Sequence, residues 1–130
     1  MIVGCGVDII HTERFKKYAT NEKFIQRFFH PDEITGIKIN NKISAESLAA
    51  RFAAKEALGK ALGTGIGLLT LKDICVSKNA MGKPQLKVFN SVKEKIIESG
   101  TDVIHLSLSH DKDYAIAQVI LEKTGGLYEH

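Results

Sequence analysis

The first ten positions, MIVGCGVDII, alternate in character: Val3, Cys5, Val7 and Ile9 fall on one face of an extended segment, and Ile2, Gly4, Gly6, Asp8 and Ile10 on the other. That period of two predicts a strand. Asp8 emerges from a face stripped bare by Gly4 and Gly6. Thr12 is placed to cap a short helix through position 18, Asn21 to cap another through about position 29, and Pro31 suits the first position of a third. Positions 36–42 are polar and unpatterned, which predicts a loop. Ser44 is placed to cap a long helix that ends before Gly63, glycine being the expected left-handed terminator. After Gly63-Thr64-Gly65-Ile66-Gly67, a strand is predicted over 71–77, a turn over 79–84 and a returning strand over 85–89. A helix over 91–99 closes at Gly100, and a second hairpin joins 103–109 to 114–121 through His110-Asp111-Lys112-Asp113. Strands and helices do not alternate strictly. The expected fold is therefore α+β, a small and mainly antiparallel sheet packed against a long central helix and shorter helices.

Composition narrows the class. The chain has 130 residues, 44% hydrophobic and 25% charged, which suits one compact domain. Residues 1–122 are expected to form it, with 123–130 a flexible tail that frays from Thr124 onward. No run reaches the roughly 18 apolar residues of a membrane span, and the N-terminal stretch lacks the basic start and cleavage site of a signal peptide, so a cytoplasmic protein is expected. Cys5 and Cys75 lie far apart in strand-like apolar runs without metal or redox spacing, which predicts two reduced core thiols. A formal charge of +3 is too small for a dedicated nucleic-acid binder. The basic surplus is local: Arg14, Lys16, Lys17, Lys23 and Arg27 stand against Glu22 alone, a pattern that fits a solvated helix surface or a dock for an acidic partner.

Chemistry is concentrated in three places. On a wheel of about 100° per residue, Ala50, Ala53, Ala54, Ala57 and Ala61 give the long helix a small-residue face, and Leu48, Phe52, Leu58 and Leu62 give it a second apolar face. Arg51 and Lys55 fall inside the arc of the second. Glu56 and Lys60 lie between the two faces, one turn apart, where an exposed ion pair is the plainest reading but flanking apolar residues imply partial desolvation. Asp8 is either a turn or capping residue or a site residue, and the neighbouring glycines leave either weak packing or room for a ligand. Should Asp8 and Glu56 converge, they offer two oxygen ligands for Mg²⁺. In HLSLSH, His105, Ser107 and Ser109 share one strand face, a structural histidine or a group suited to phosphate recognition and proton transfer. Neither serine lies in a nucleophile-elbow pattern. The loop from Gly63 follows a helix rather than preceding one, so it is expected to cap and turn the chain, and its glycines allow a flat ligand such as adenine to approach the backbone.

Three stretches, in order and at these separations, resemble the signatures of one family, the 4′-phosphopantetheinyl transferases: Gly6-Val7-Asp8, Phe52-Ala53-Ala54-Lys55-Glu56-Ala57-Leu58-Gly59-Lys60, and His105-Leu106-Ser107-Leu108-Ser109-His110. RFAAKEALGKALGTGIG and the Gly82-Lys83-Pro84 turn are similar to its short, single-repeat type, and the likeness spans residues 1 to about 122. The resemblance implies the 4′-phosphopantetheinyl transferase fold. It also implies Mg²⁺-dependent transfer of the phosphopantetheine arm of coenzyme A to a serine of apo acyl carrier protein, releasing adenosine 3′,5′-bisphosphate, in support of fatty acid biosynthesis. Asp8 and Glu56 match the metal carboxylates, Lys60 the phosphate-contacting lysine, and His105 a histidine close to the coenzyme A phosphates. Glu56, Lys60 and His105 are the expected catalytic residues. Lys60, Gly63, Thr64, Gly65, His105 and Ser107 are the expected coenzyme A contacts, and Arg14, with Arg27 in the same basic cluster, the expected dock for the acidic carrier protein. Short members are homotrimers with sites at subunit interfaces, which would give Arg51 and Lys55 partners from the site or from a neighbouring chain. His11 departs from the family pattern, standing where relatives often carry an acid.

Phosphoryl transfer asks mainly for positioning and charge neutralisation, so two carboxylates holding a metal plus one lysine form a sufficient core. The general base stays open between Glu56, directly or through a water, and His105. Two other readings compete: a Mg²⁺-dependent hydrolase of a nucleotide or coenzyme A, and a non-catalytic nucleotide-binding module. Neither nucleic acid nor a membrane is an expected partner.

Overall fold

Gly4 and Gly6 set the distance between the first strand and the long helix. They sit on the inner face of β1 (Ile2–His11), where a Cβ on Gly4 would lie 1.9 Å from the Ala61 carbonyl oxygen and one on Gly6 2.0 Å from that of Ala57. Only glycine lets α3 (Ala45–Leu62) rest its backbone directly on the strand. Ala49, Ala50, Ala53, Ala54, Ala57 and Ala61 complete that close approach and are buried. The computed structural model describes residues 1–65 and 69–126.

β1 pairs antiparallel with β5 (Tyr114–Glu122), which pairs antiparallel with β4 (Val103–His110), in the order β1-β5-β4. A separate hairpin joins β2 (Ile74–Lys78) and β3 (Pro84–Val88). Among the described residues, the shorter helices α1 (Glu22–Phe28), α2 (Pro31–Ile37) and α4 (Asn90–Glu98) complete the α+β architecture. The register sorts side chains by face. Gly6, Val119 and Leu106 form one inner row, and Asp8, Ala117 and Leu108 another; Val7, Gln118 and Ser107 lie on the outer face, as do Cys5, Ile120 and His105. α3 covers the inner face, packing on both β1 and β5.

The predicted caps at α1 and α3 are present: Asn21 Oδ1 accepts from the Phe24 amide at 3.1 Å, Ser44 Oγ from the Ser47 amide at 3.1 Å, and Gly63 adopts φ 77°. Other boundaries differ. Thr12 does not cap a helix to position 18; it opens a single 3-10 turn (Thr12–Phe15) whose N-cap position, His11, makes no side-chain cap bond, and its own side chain is buried. Residues 36 and 37 belong to α2 rather than to a loop, and Asn40 and Asn41 make the turn with φ 52° and 61°. Residues 71–73 form a 3-10 turn (Leu71–Asp73), so β2 begins only at Ile74. Cys75 is a buried thiol as expected, but Cys5 is exposed, because it lies on the sheet face that α3 leaves uncovered. Of the segment from Thr124 onward, the amides of Thr124, Gly125 and Gly126 donate to the Asp102 carboxylate at 2.9, 3.1 and 3.3 Å. Residues 66–68, which include part of the glycine-rich loop, and 127–130 lie outside the described residues. Among the described residues, no helix is long and apolar enough to cross a membrane.

Candidate active site

The inner face of β1 and the adjoining edge of α3 bring together Asp8, Glu56 and Lys60. Asp8 is 8% exposed. Its Oδ1 accepts a hydrogen bond from Lys60 Nζ at 2.9 Å, and the same ammonium donates to the Val7 carbonyl at 3.0 Å. Its Oδ2 is buried without a hydrogen-bond partner among the described residues. Glu56, one turn before Lys60, is half-buried and faces Asp8. Burial first, and then the adjoining Asp8 carboxylate, push the Glu56 pKa up to about 7, while the charges of Arg14 and Lys60 oppose the shift. Two close carboxyl groups, one with an orphaned oxygen, form a hard, negatively charged donor set of the kind that Mg²⁺ takes when water and substrate phosphates supply its remaining ligands. Among the described residues, no group of three or more His, Cys, Asp or Glu forms a self-sufficient metal cage.

His105 is not part of that constellation within one chain. It lies on the outer face of the sheet, in the row of Ile120 and Cys5, whereas Asp8 lies on the inner face. Its Nε2 is 2.8 Å from Glu122 Oε1. Ser107 is exposed on the same outer face. His105 instead shares a cleft of about 310 Å³ with Asn79, Lys83, Pro84 and Gln85, so the glycine-lysine-proline turn and the third motif are neighbours. His11, the departure from the family pattern, is also on the outer face, its ring edge-on to Tyr114 with centroids 5.1 Å apart. Gly63, Thr64 and Gly65 cap α3: the Gly63 amide donates to the Lys60 carbonyl at 3.1 Å, and the Thr64 and Gly65 amides to that of Gly59 at 3.2 and 3.1 Å.

Lys55 points away from the site. Its side chain is fully buried, and its Nζ donates to Glu33 Oε1 at 2.7 Å, the Leu71 carbonyl at 2.9 Å and the Ile74 carbonyl at 2.5 Å. Its partners therefore come from the chain's own core, neither from the site nor from another chain, because α3 turns it toward α2 and the start of β2. Burial lowers its pKa, with Glu33 offsetting part of the effect. Arg51 is likewise buried, and its Nη1 donates to the Ser47 carbonyl at 3.3 Å. Glu33 escaped the sequence reading; a glutamate three residues after His30 is the one local signal, since the pair forms a capping box at α2.

Arg14 and Arg27 are exposed on the 3-10 turn and on α1. The basic face they belong to rests on an aromatic cluster. The Tyr18 and Phe24 rings stack at 3.8 Å, Phe15 meets Phe52 of α3 at 5.3 Å, and Arg27 lies over Phe28 at 5.1 Å. Arg14 is also close enough to Glu56 for its charge to lower that carboxyl's pKa.

The fold and this site define an α+β protein with a carboxylate pair and a lysine at a strand–helix junction. The family model of the 4′-phosphopantetheinyl transferase superfamily matches residues 4–119, and the chain belongs to that family. A holo-[acyl-carrier-protein] synthase from Treponema denticola is 44% identical over 94% of this chain and 99% of its own length. Among solved structures, the holo-[acyl-carrier-protein] synthase of Neisseria meningitidis is similar with a TM-score of 0.83 and 33% identity, covering 95% of this chain and 100% of the other. The Helicobacter pylori synthase, solved in complex with coenzyme A, gives a TM-score of 0.78 and 36% identity over 91% of this chain and 99% of its own.

Proposed function

We propose that this protein transfers the 4′-phosphopantetheine arm of coenzyme A to a serine of an apo acyl carrier protein, with Mg²⁺, releasing adenosine 3′,5′-bisphosphate, and thereby serves fatty acid biosynthesis. The observation that carries the reading is the orphaned, buried Asp8 Oδ2 beside a Glu56 carboxyl whose pKa is raised to about 7. The similar Helicobacter pylori synthase, solved in complex with coenzyme A, supports coenzyme A as the donor. Residues 1–122 are taken as a single phosphopantetheinyl transferase domain followed by a tail.

In this reading Asp8 and Glu56 hold the ion, which when bound would neutralise charge on the transferring phosphate. Lys60 releases Asp8 Oδ1 and turns its ammonium to the same phosphate, a short movement for a flexible side chain that is already half exposed. Glu56 is the acid–base group on the Asp8 side, half-ionised near neutral pH before any metal binds. Gly63, Thr64 and Gly65 lie just beyond Lys60 and wall the pocket for the nucleotide end. Arg14 and Arg27 draw in the acidic carrier protein, with Arg14 near enough to Glu56 to set the incoming serine beside the site.

His105, Ser107 and the Lys83–Pro84 cleft enter the site from a second copy in a homotrimer. Two features support this: His105 lies on the opposite sheet face from Asp8 in its own chain, and that outer face exposes Val7 by 56% and Ile9 by 59%, apolar surface that a partner would cover. The test is to incubate the protein with coenzyme A, Mg²⁺ and apo acyl carrier protein and to weigh the carrier by mass spectrometry. A phosphopantetheine adduct on the carrier is expected. Adenosine bisphosphate released without an adduct would instead make the protein a hydrolase.

A further inference from the structure

α3 carries both Glu56 and Lys60, yet its contact with the sheet offers little to hold it in register. Where α3 lies closest to β1 the facing surfaces are alanines on the helix and Gly4 and Gly6 on the strand, so beside Glu56 and Lys60 no large side chain locks the two elements, and so smooth a contact specifies rotation and sliding weakly. Directional bonds add definition there. On the site side, Lys60 Nζ reaches the Val7 carbonyl and Asp8, but it is half exposed and is the group assigned to move.

On the far side lies a different kind of tie. Lys55 Nζ has three protons and three acceptors, from α2 and from the segment entering β2. Both oxygens of its main acceptor are engaged in turn: Glu33 Oε1 also accepts from the His30 amide at 3.1 Å, and Oε2 accepts from the Val76 amide at 2.9 Å. Both side chains are 0% exposed. A buried ion pair is a poor means of raising stability, but a well-attested means of fixing register.

We propose that Glu33 and Lys55 are positioning residues that set the rotation and axial position of α3, and through it the placement of Glu56 against Asp8. Lys55 is the residue immediately before Glu56, so any turn of α3 that strains its three bonds moves the Glu56 carboxyl in the same step. The proposal rests on the transferase reading for its activity readout, and on the metal site alone for its binding readout.

The test uses the full chain. Either single neutral variant strands a buried charge, so the informative variant is the double Glu33→Gln/Lys55→Met, which removes both charges and keeps volume. At a temperature well below its melting point, its Mn²⁺ affinity, followed by electron paramagnetic resonance, is expected to fall about 10-fold, with kcat down about 10-fold or more and the coenzyme A KM within about threefold. A merely stabilising pair would lower the melting temperature and move neither quantity. A folded double variant with wild-type Mn²⁺ affinity and kcat overturns the proposal. Glu33→Asp keeps both charges and shortens the reach by one methylene; it is expected to fold and to lose several-fold in both readouts, so it decides the matter if the double variant does not fold, and wild-type values there also overturn it. A wild type that binds Mn²⁺ but modifies no carrier overturns the transferase reading and leaves the positioning test to Mn²⁺ affinity. A wild type that does neither overturns both.

Discussion

Replacing Gly6 by alanine tests the contact on which the whole site is built. A methyl group there would stand 2.0 Å from the Ala57 carbonyl oxygen, 2.7 Å from the Ala61 amide nitrogen and 3.0 Å from Lys60 Cβ. Carbon–oxygen contacts tolerate no less than about 3.3 Å, so the helix must retreat by about 1.3 Å. Neither neighbour is a side-chain tip that could swing aside; both nearest atoms are helix backbone. α3 is also held from behind by the three bonds of Lys55. The cost should therefore reach the top of the range for an overpacked core, about 3 kcal/mol, which for a chain of 130 residues is on the order of 10 °C in Tm. The retreat would also break the Lys60 bonds to Val7 and Asp8, now 3.0 and 2.9 Å, and widen the Glu56–Asp8 gap, so kcat is expected to fall by up to about 10²-fold. Thermal and urea melts, with turnover measured well below the melt, supply both readouts. Gly36→Ala is the control: a Cβ there meets nothing within 4 Å, and the residue is exposed near the end of α2, so it should raise stability by about 0.5–1 kcal/mol. A Gly6→Ala protein that melts within about 2 °C of wild type at wild-type turnover would refute the close seating of α3 on β1.

Three further outcomes are expected. In the presence of a chelator the wild type should lose stability as pH rises from about 4.5 to about 7. Between those values the folded chain binds more protons at Glu56 than the unfolded chain does; Glu56→Gln should remove this slope in urea melts at several pH values and abolish metal-dependent turnover, and an unchanged slope would take Glu56 out of the buried pair. Arg14→Ala should raise the KM for acyl carrier protein, most at low salt, while sparing that for coenzyme A; an unchanged KM at several ionic strengths would remove Arg14 from docking. Asp8→Asn and His105→Ala chains, inactive alone, should regain about a quarter of wild-type activity when co-assembled in equal amounts, since one site in four then joins an intact Asp8 side to an intact His105 side; no recovery would place the two residues in sites that do not span copies.

Features written in local chemistry were legible in the sequence. Asn21, Ser44 and Gly63 act as caps and terminator because a side-chain oxygen or a positive φ at a helix end is decided within a few residues. The alternation in β1 correctly set Asp8 apart from Val7 and Ile9, and the wheel of α3 correctly put Glu56 and Lys60 on a common edge. Thr12 failed as a cap because the chain leaves β1 with that residue already buried, a consequence of strand direction rather than of residue type. Lys55 is the sharper case. Its place in an apolar arc was visible, but its partner Glu33 is 22 positions away on another helix, and its remaining acceptors are the backbone carbonyls of Leu71, in a 3-10 turn that resembles a strand in sequence, and of Ile74, where β2 begins.

His105 shows why motif order alone does not define a site. Alternation correctly grouped it with Ser107 and Ser109, but which side of the molecule that face looks toward depends on β4 lying two strands from β1, with β5 between them. Through that register His105 aligns with Cys5, and Cys5 is an odd number of residues from Asp8, so the Asp8 and His105 side chains leave the sheet in opposite directions. No side-chain rotation carries an imidazole through a paired sheet. If the first and third motifs serve one reaction, the sheet must meet its own kind across the outer face, and the exposure of Val7, Ile9, Tyr114 and Ile116 on that face is then the cost of a site divided between chains.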